Sequence, residues 1–317
     1  MKNRFLILLS FVLIVGRDVV CANTSMVRER ININRDWRYQ IDDPDGVGAA
    51  LHYSRLKPYL LPCANDFIIF GKRYQRPEGN PGENIAYVKS DFDDSEWRHL
   101  NLPHDWAIEG PFNIDYNGST GKLPYWGIRW YRKTLELSQD DAGKQIYLDI
   151  DGAMSYVSVW CNGQYVGGWP YGYASFRLDL TPYIKAGQKN VLAIRLDNPD
   201  DTSRWYPGSG IYRNVWLVKT SPVHVEQWGT FVRNQQVDSE IAVMEMGVNI
   251  ENHAGKDVQV KLQTSVYLQG KDGRPVGEEV AQSMAKNIAI KKDSWSSARF
   301  QFKINKPKLW DIDTPNC

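Results

Sequence analysis

Ile146–Leu180 reads IYLDIDGAMSYVSVWCNGQYVGGWPYGYASFRLDL. Ile146, Leu148 and Ile150 fall on one face of an extended chain, because side chains alternate with period two along a strand. Val157 and Val159 alternate in the same way, and Cys161 closes that run as a small buried hydrophobe. Asn162 and Gly163 then supply the pair that a tight hairpin turn prefers. Phe176, Leu178 and Leu180 make the next alternating set. The stretch predicts short strands joined by turns, with no competing helical period.

The same texture extends outward. Val191–Leu196 and Ile211–Val218 read as further strands, separated by a polar loop that contains Asn198, Pro199, Asp200, Asp201 and Gly208. That loop is long for a hairpin and is therefore a candidate functional loop. Beyond Thr220–Pro222 tryptophans become sparse and the segments more regular: Ala242–Ile250, Val258–Leu268 and Ala298–Ile304, with a turn at Gly270–Gly277. A stretch of about 100 residues in such strands fits an immunoglobulin-like sandwich. Asp43–Asn84 does not alternate and carries Pro77, Gly79, Pro81 and Gly82. It reads as an irregular surface insertion, either decoration or a lid.

The ends and the composition limit function. Lys2 and Arg4 precede an apolar run, Phe5–Gly16, too short to span a membrane and of the length of an export signal, with Val20 and Ala22 at the cleavage positions. Residues 1–22 are thus expected to be a signal peptide, with export to the periplasm or beyond; lipid attachment at Cys21 is the rival reading. Formal net charge is +1 and the longest basic tract is a pair such as Lys291 and Lys292, so neither nucleic acid nor an anionic membrane is an expected partner. With Cys21 in the leader and Cys317 last, Cys63 and Cys161 make no disulfide framework. The 5 His residues are scattered without metal-ligand spacing, and no metal or cofactor is expected. The 12 Trp and 17 Tyr exceed what a core of this size needs, and flat exposed rings are what sugar rings stack on; aromatic-rich strands are the plainer reading.

Six segments carry a resemblance: NRDWRY at Asn34–Tyr39, LPHDWAIEG at Leu102–Gly110, GIRWYRK at Gly127–Lys133, VWCNG at Val159–Gly163, PYGYASFRLDLTPY at Pro170–Tyr183 and RWYPGSGIYRNVW at Arg204–Trp216. In order and spacing they resemble the sugar-binding domain of family 2 glycoside hydrolases, most of all bacterial β-galactosidases. The resemblance implies an all-β chain: a signal peptide at 1–22, a galactose-binding-like jelly roll over 23–222 with its insertion at about 43–84, and an immunoglobulin-like sandwich over 223–317. It implies that LWDIDTP at Leu309–Pro315 hands over to a third domain, a (β/α)8 barrel carrying both glutamates of a retaining mechanism. The chain contains no Asn-Glu dipeptide of the family's acid/base motif, so no catalytic residue is assigned here.

What the resemblance implies for binding is a few polar groups at the rim of the barrel's sugar pocket, from loops 112–122 and 198–209. Asn117 lies near the place of a sugar-contacting Asn; a turn role in Asn-Gly is its other reading. In the second loop relatives put an Asp beside the sugar, whereas the aligned stretch here reads Thr202, Ser203, Arg204, Trp205, with Asp201 just before it. Arg204 can fork to ring hydroxyls or to an acidic sugar, or else pair with Asp200 or Asp201. Trp205 either stacks on a sugar face or fills the core at the strand entry. His104 and Asp105 resemble a general-base pair on paper, but are expected to shape the domain. Expected partners are a terminal β-galactoside or related glycan, the missing barrel, and a second copy of the chain. β-Glucuronidase, β-mannosidase and a free carbohydrate-binding module remain alternatives.

Overall fold

The computed structural model describes residues 11–12, 28–68, 72–200 and 205–315. The chain divides into two compact units, Arg28–Thr220 and a second that holds Ser221 onward. Residues 1–22, read as an export signal, lie outside the described residues apart from Phe11–Val12, whose backbone pairs with Ser265 and Thr264.

Ten strands build the first unit: β1 Arg28–Asn32, β2 Trp37–Ile41, β3 Arg98–Leu100, β4 Gly127–Glu136, β5 Gln145–Ile150, β6 Val157–Cys161, β7 Gln164–Trp169, β8 Phe176–Asp179, β9 Lys189–Asn198 and β10 Val215–Thr220. They form an antiparallel six-stranded sheet, order β3-β2-β4-β9-β6-β7, and a four-stranded sheet, order β1-β10-β5-β8. The alternating residues do what their spacing dictates: Ile146, Leu148 and Ile150 meet Val159, Cys161, Tyr131, Ile194 and Leu196 in one core between the sheets. The β6–β7 hairpin closes at Cys161 and Gln164, and Asn162 (φ 52°) and Gly163 (φ 80°) both adopt the left-handed backbone the turn requires. Strand β10 begins at Val215 rather than Ile211, because the Ile211 carbonyl is taken by the His104 amide at 2.9 Å instead of a sheet neighbour.

The insertion departs from expectation. It is not an irregular decoration, because it sheathes the outer face of the six-stranded sheet with a core of its own. Val47, Leu51, Leu56 and Leu60, with Ile85 and Val88 just after the insertion, bury against Trp130, Trp160, Tyr165 and Ala193, the outward residues of β4, β6, β7 and β9. Helix α1, Tyr53–Leu60, presents Leu56 and Leu60 four residues apart on one face, and the His52 imidazole caps it by accepting from the Ser54 amide. Two buried arginines fasten the sheath. Arg195 from β9 grips Asp43, which also accepts from Trp130 Nε1 at 2.8 Å. Arg132 from β4 pairs with Asp94 at 2.8 Å and donates to the carbonyls of Tyr87 and Lys89.

The second unit is a β-sandwich made from β11 Val223–Val237, β12 Ile241–Asn252, β13 Val258–Leu262, β14 Thr264–Gln269, β15 Pro275–Gln282, β16 Lys286–Ile290 and β17 Ser294–Asn305. Met246, Val248 and Ile250 of β12 pack with Phe300 and Phe302 of β17, Leu262 and Val266. The run Val258–Leu268, read as one strand, is two: β13 pairs with β16 and β14 pairs with β15, so the chain changes sheet at Gln263. Strand β11 lies at the edge of the sheet β11-β12-β17. Its distal half keeps Phe231, Val232 and Val237 more than two-fifths exposed.

Candidate functional site

At one end of the six-stranded sheet β4 begins where β9 ends, with Gly127 opposite Asn198. Two long connections meet there because their backbones pair directly. The His104 amide donates to Ile211 and the Trp106 amide to Ser209 at 3.2 Å, laying the LPHDW segment along residues 209–211. Gly210, at φ 102°, permits this approach: a Cβ there would sit 2.5 Å from the His104 carbonyl oxygen.

Asn198 is the keystone of this end. Its buried amide donates to the carbonyls of Tyr125 (2.7 Å) and Gly208 (3.1 Å), and Ser209 Oγ donates to the same Tyr125 carbonyl at 2.6 Å. The Tyr125 hydroxyl in turn donates to the Asp200 carbonyl. A buried polar group left unpaired costs about 1–3 kcal/mol, so this closed set holds both loops in one arrangement.

His104 and Asp105 are both consumed by structure. The Tyr131 hydroxyl donates to His104 Nδ1 at 2.8 Å, and Nε2 donates to Glu109 at 3.3 Å, which fixes the neutral tautomer. Burial pushes the His104 pKa down, against the opposing pull of Glu109, whose carboxylate Arg98 clamps with two 2.7 Å bonds. Asp105 accepts from the Ala107 amide and, at 2.6 Å, from the Tyr206 hydroxyl, whose own pKa burial and that carboxylate drive up.

Asn117 caps the short turn Gly118–Thr120, its oxygen accepting from the Ser119 amide (2.9 Å) and hydroxyl (2.8 Å). The residue is exposed. Trp205 is 75% exposed, so the core reading of that residue does not hold; it stands in the loop before Tyr206, outside the packed sheets. Asp201 and Arg204 lie outside the described residues. The loops of Asn117 and Trp205 are rooted on one segment: Tyr116 packs edge-on to Trp126 at 4.7 Å, and neighbouring Tyr125 holds Asn198 and Asp200. Tyr171 and Tyr173, 61% and 51% exposed, join this end because the Tyr173 hydroxyl donates to the Pro207 carbonyl at 3.0 Å. The Tyr-Gly-Tyr triplet in an uncharged turn was the signal available for them.

The first unit is thus a two-sheet β-sandwich with exposed aromatic side chains on the loops at one end, and the second is a separate β-sandwich. The chain belongs to glycoside hydrolase family 2. The family models "Glycosyl hydrolases family 2, sugar binding domain" and "Glycosyl hydrolases family 2" match residues 86–221 and 223–317. Over 300 residues the chain is 39% identical to the β-galactosidase BoGH2A of Bacteroides ovatus, a match covering 93% of this chain and 30% of that protein. It is 26% identical over 242 residues to a β-glucuronidase of Formosa agariphila, covering 69% of this chain and 24% of that one. A glycosyl hydrolase family 2 member from Bacteroides cellulosilyticus superposes with a TM-score of 0.70 at 26% identity, over 90% of this chain and 32% of the other. The chain spans about a third or less of the relatives it matches. No β/α barrel occurs among the described residues.

Proposed function

We propose that this chain is the non-catalytic N-terminal part of a retaining, exo-acting glycoside hydrolase that removes terminal β-galactosyl units outside the cytoplasm. The observation that carries the reading is the 39% identity to a β-galactosidase along 93% of this chain but only 30% of that protein. Retention needs two carboxyl groups about 5 Å apart, one protonating the leaving oxygen and one forming the glycosyl-enzyme. On this reading a barrel domain supplies both. The first unit adds polar and aromatic groups to the rim of the sugar pocket: Asn117, Asp201, Arg204 and Trp205. The amide of Asn117 donates to a hydroxyl, the guanidinium of Arg204 forks to two, and the exposed Trp205 ring covers a sugar face. Lys2, Arg4 and the apolar run Phe5–Gly16 support export. The full protein would assemble with a second copy of itself.

The β-glucuronidase relative supports a second reading, in which Arg204 pairs with the carboxylate of an acidic sugar. One experiment tests both. Nitrophenyl β-galactoside, β-glucuronide and β-mannoside are offered to the purified chain and to the chain extended through the adjoining reading frame. Galactoside hydrolysis by the extended form alone is the expected result; glucuronide hydrolysis instead selects the second reading, and activity of the short chain overturns the non-catalytic assignment.

A further inference from the structure

The turn Pro170–Phe176 carries Tyr171 and Tyr173 from β7 in one sheet to β8 in the other, and it contains no charged residue. Four of its residues are tied down by hydrogen bonds. The Pro170 carbonyl accepts from the Tyr156 amide at 3.2 Å, and the Gly172 carbonyl accepts from the Tyr212 hydroxyl at 2.8 Å. Tyr173 reaches Pro207 through its hydroxyl, and Ser175 Oγ donates to the Asp151 carbonyl at 2.9 Å. Gly172 lies so close to Met154 that a Cβ there would fall 2.3 Å from its sulfur. On this anchored turn the Tyr171 ring stands 61% exposed, held edge-on to Tyr173 with centroids 5.6 Å apart and planes at 69°.

Exposed apolar rings on a mobile loop lose stacking energy to the entropy of ordering, and here that cost is already met by the fold. Two rings at a steep angle, on an uncharged turn, make a corner with a flat wall for the C–H face of a pyranose and hydroxyls for its edge. A β-linked galactose presents such a face, because its axial O4 leaves the hydrogens of C3, C4 and C5 together on the opposite side of the ring, and no charged residue lies within the turn itself to select an acidic glycan. We propose that Tyr171 and Tyr173 form a platform for a pyranose unit of a neutral β-linked oligosaccharide. This rests on the glycosidase reading and deepens it. Tyr171 is the stacking residue, and Tyr173 positions it through the bond to Pro207.

The test is affinity gel electrophoresis of the 317-residue chain through soluble β-1,4-galactan, with dextran and polygalacturonate as controls. Galactan retards the wild-type chain and Tyr171→Phe, whereas Tyr171→Ala binds about tenfold more weakly, as expected for loss of a stacking anchor. Tyr173→Phe keeps its ring and binds with intermediate strength. Because Tyr171 is exposed, unchanged near-ultraviolet circular dichroism confirms that Tyr171→Ala is folded. Equal retardation of wild type and Tyr171→Ala, no retardation of wild type by galactan, or retardation by polygalacturonate alone each overturns the platform. None of these changes the nitrophenyl glycoside result, which decides the glycosidase reading separately.

Discussion

Arg195 closes its Nε and one terminal nitrogen on the two carboxylate oxygens of Asp43, each at 2.8 Å, across 152 residues of chain. Both side chains are nearly or wholly removed from water, at 4% and 13% exposure. The pair is the clasp between the sheath and the sheet. Removing Asp43 leaves the buried Arg195 guanidinium only its longer carboxylate contact with Asp197 at 3.3 Å, and breaking a buried pair costs up to about 3–5 kcal/mol. Asp43→Ala is therefore expected to destabilise the first unit in urea by about 2–4 kcal/mol and to expose Trp130, seen as a red shift of tryptophan fluorescence. An unchanged midpoint would show that the clasp contributes nothing.

Asn198→Ala removes the donors that hold Tyr125 and Gly208 together while leaving the sheets intact. The expected loss is on the order of 2–3 kcal/mol, concentrated at the loop end. Limited proteolysis is the measurement: cleavage within residues 199–209 should accelerate well before the unit unfolds. Cutting at the wild-type rate would assign the rigidity of this end elsewhere.

His104 is expected to titrate below the ordinary histidine value of about 6.5, since burial disfavours its charged form. The folded state then binds fewer protons than the unfolded one. Stability from this residue is fully present above about pH 6.5 and falls as the pH drops towards the lowered folded value. Carbon-13 shifts of the imidazole read this directly; a midpoint at or above 6.5 would contradict the tautomer assigned from Tyr131 and Glu109.

Glu251 in the second unit carries the opposite case. Burial alone would raise its carboxyl, but hydrogen bonds from His224 (3.3 Å) and His253 (3.4 Å) outweigh burial and bring it down to about 2. Its folded pKa lies below the unfolded value of about 4.3, so its contribution is complete above that value and lost as the pH falls through 2. Glu251→Gln should flatten the acid slope of the second unit between those limits by on the order of 1–3 kcal/mol. Parallel slopes for wild type and variant would refute it.

Much of the fold was legible because alternation reports burial on one face. Ile146, Leu148, Ile150, Val157 and Val159 all reach the core that their period predicts. The sheath was not legible, since Leu56 and Leu60 make only one helical repeat and the rest of its packing depends on Trp130 and Trp160, far away in sequence. Val258–Leu268 hid a change of sheet because strands in two sheets of a sandwich share the same period. At the candidate site, Asn117 was placed at a surface turn as its Asn-Gly context suggested. Trp205 shows the limit: neither composition nor period distinguishes a tryptophan entering a core from one leaving it, and here it is exposed. The tie between Tyr173 and Pro207 spans 34 residues and has no local signature.

Strand β11 lies at the sheet edge with Phe231 and Val232 exposed on the unbulged stretch 230–234, and Val237 exposed beyond the next bulge. An edge strand with exposed apolar side chains can template the addition of another strand. In the test tube, the chain produced alone should grow sticky with concentration, and a lysine placed at Val232 should keep it dispersed. In a longer protein that carries this strand, a covering element over Phe231 and Val232 would remove that tendency.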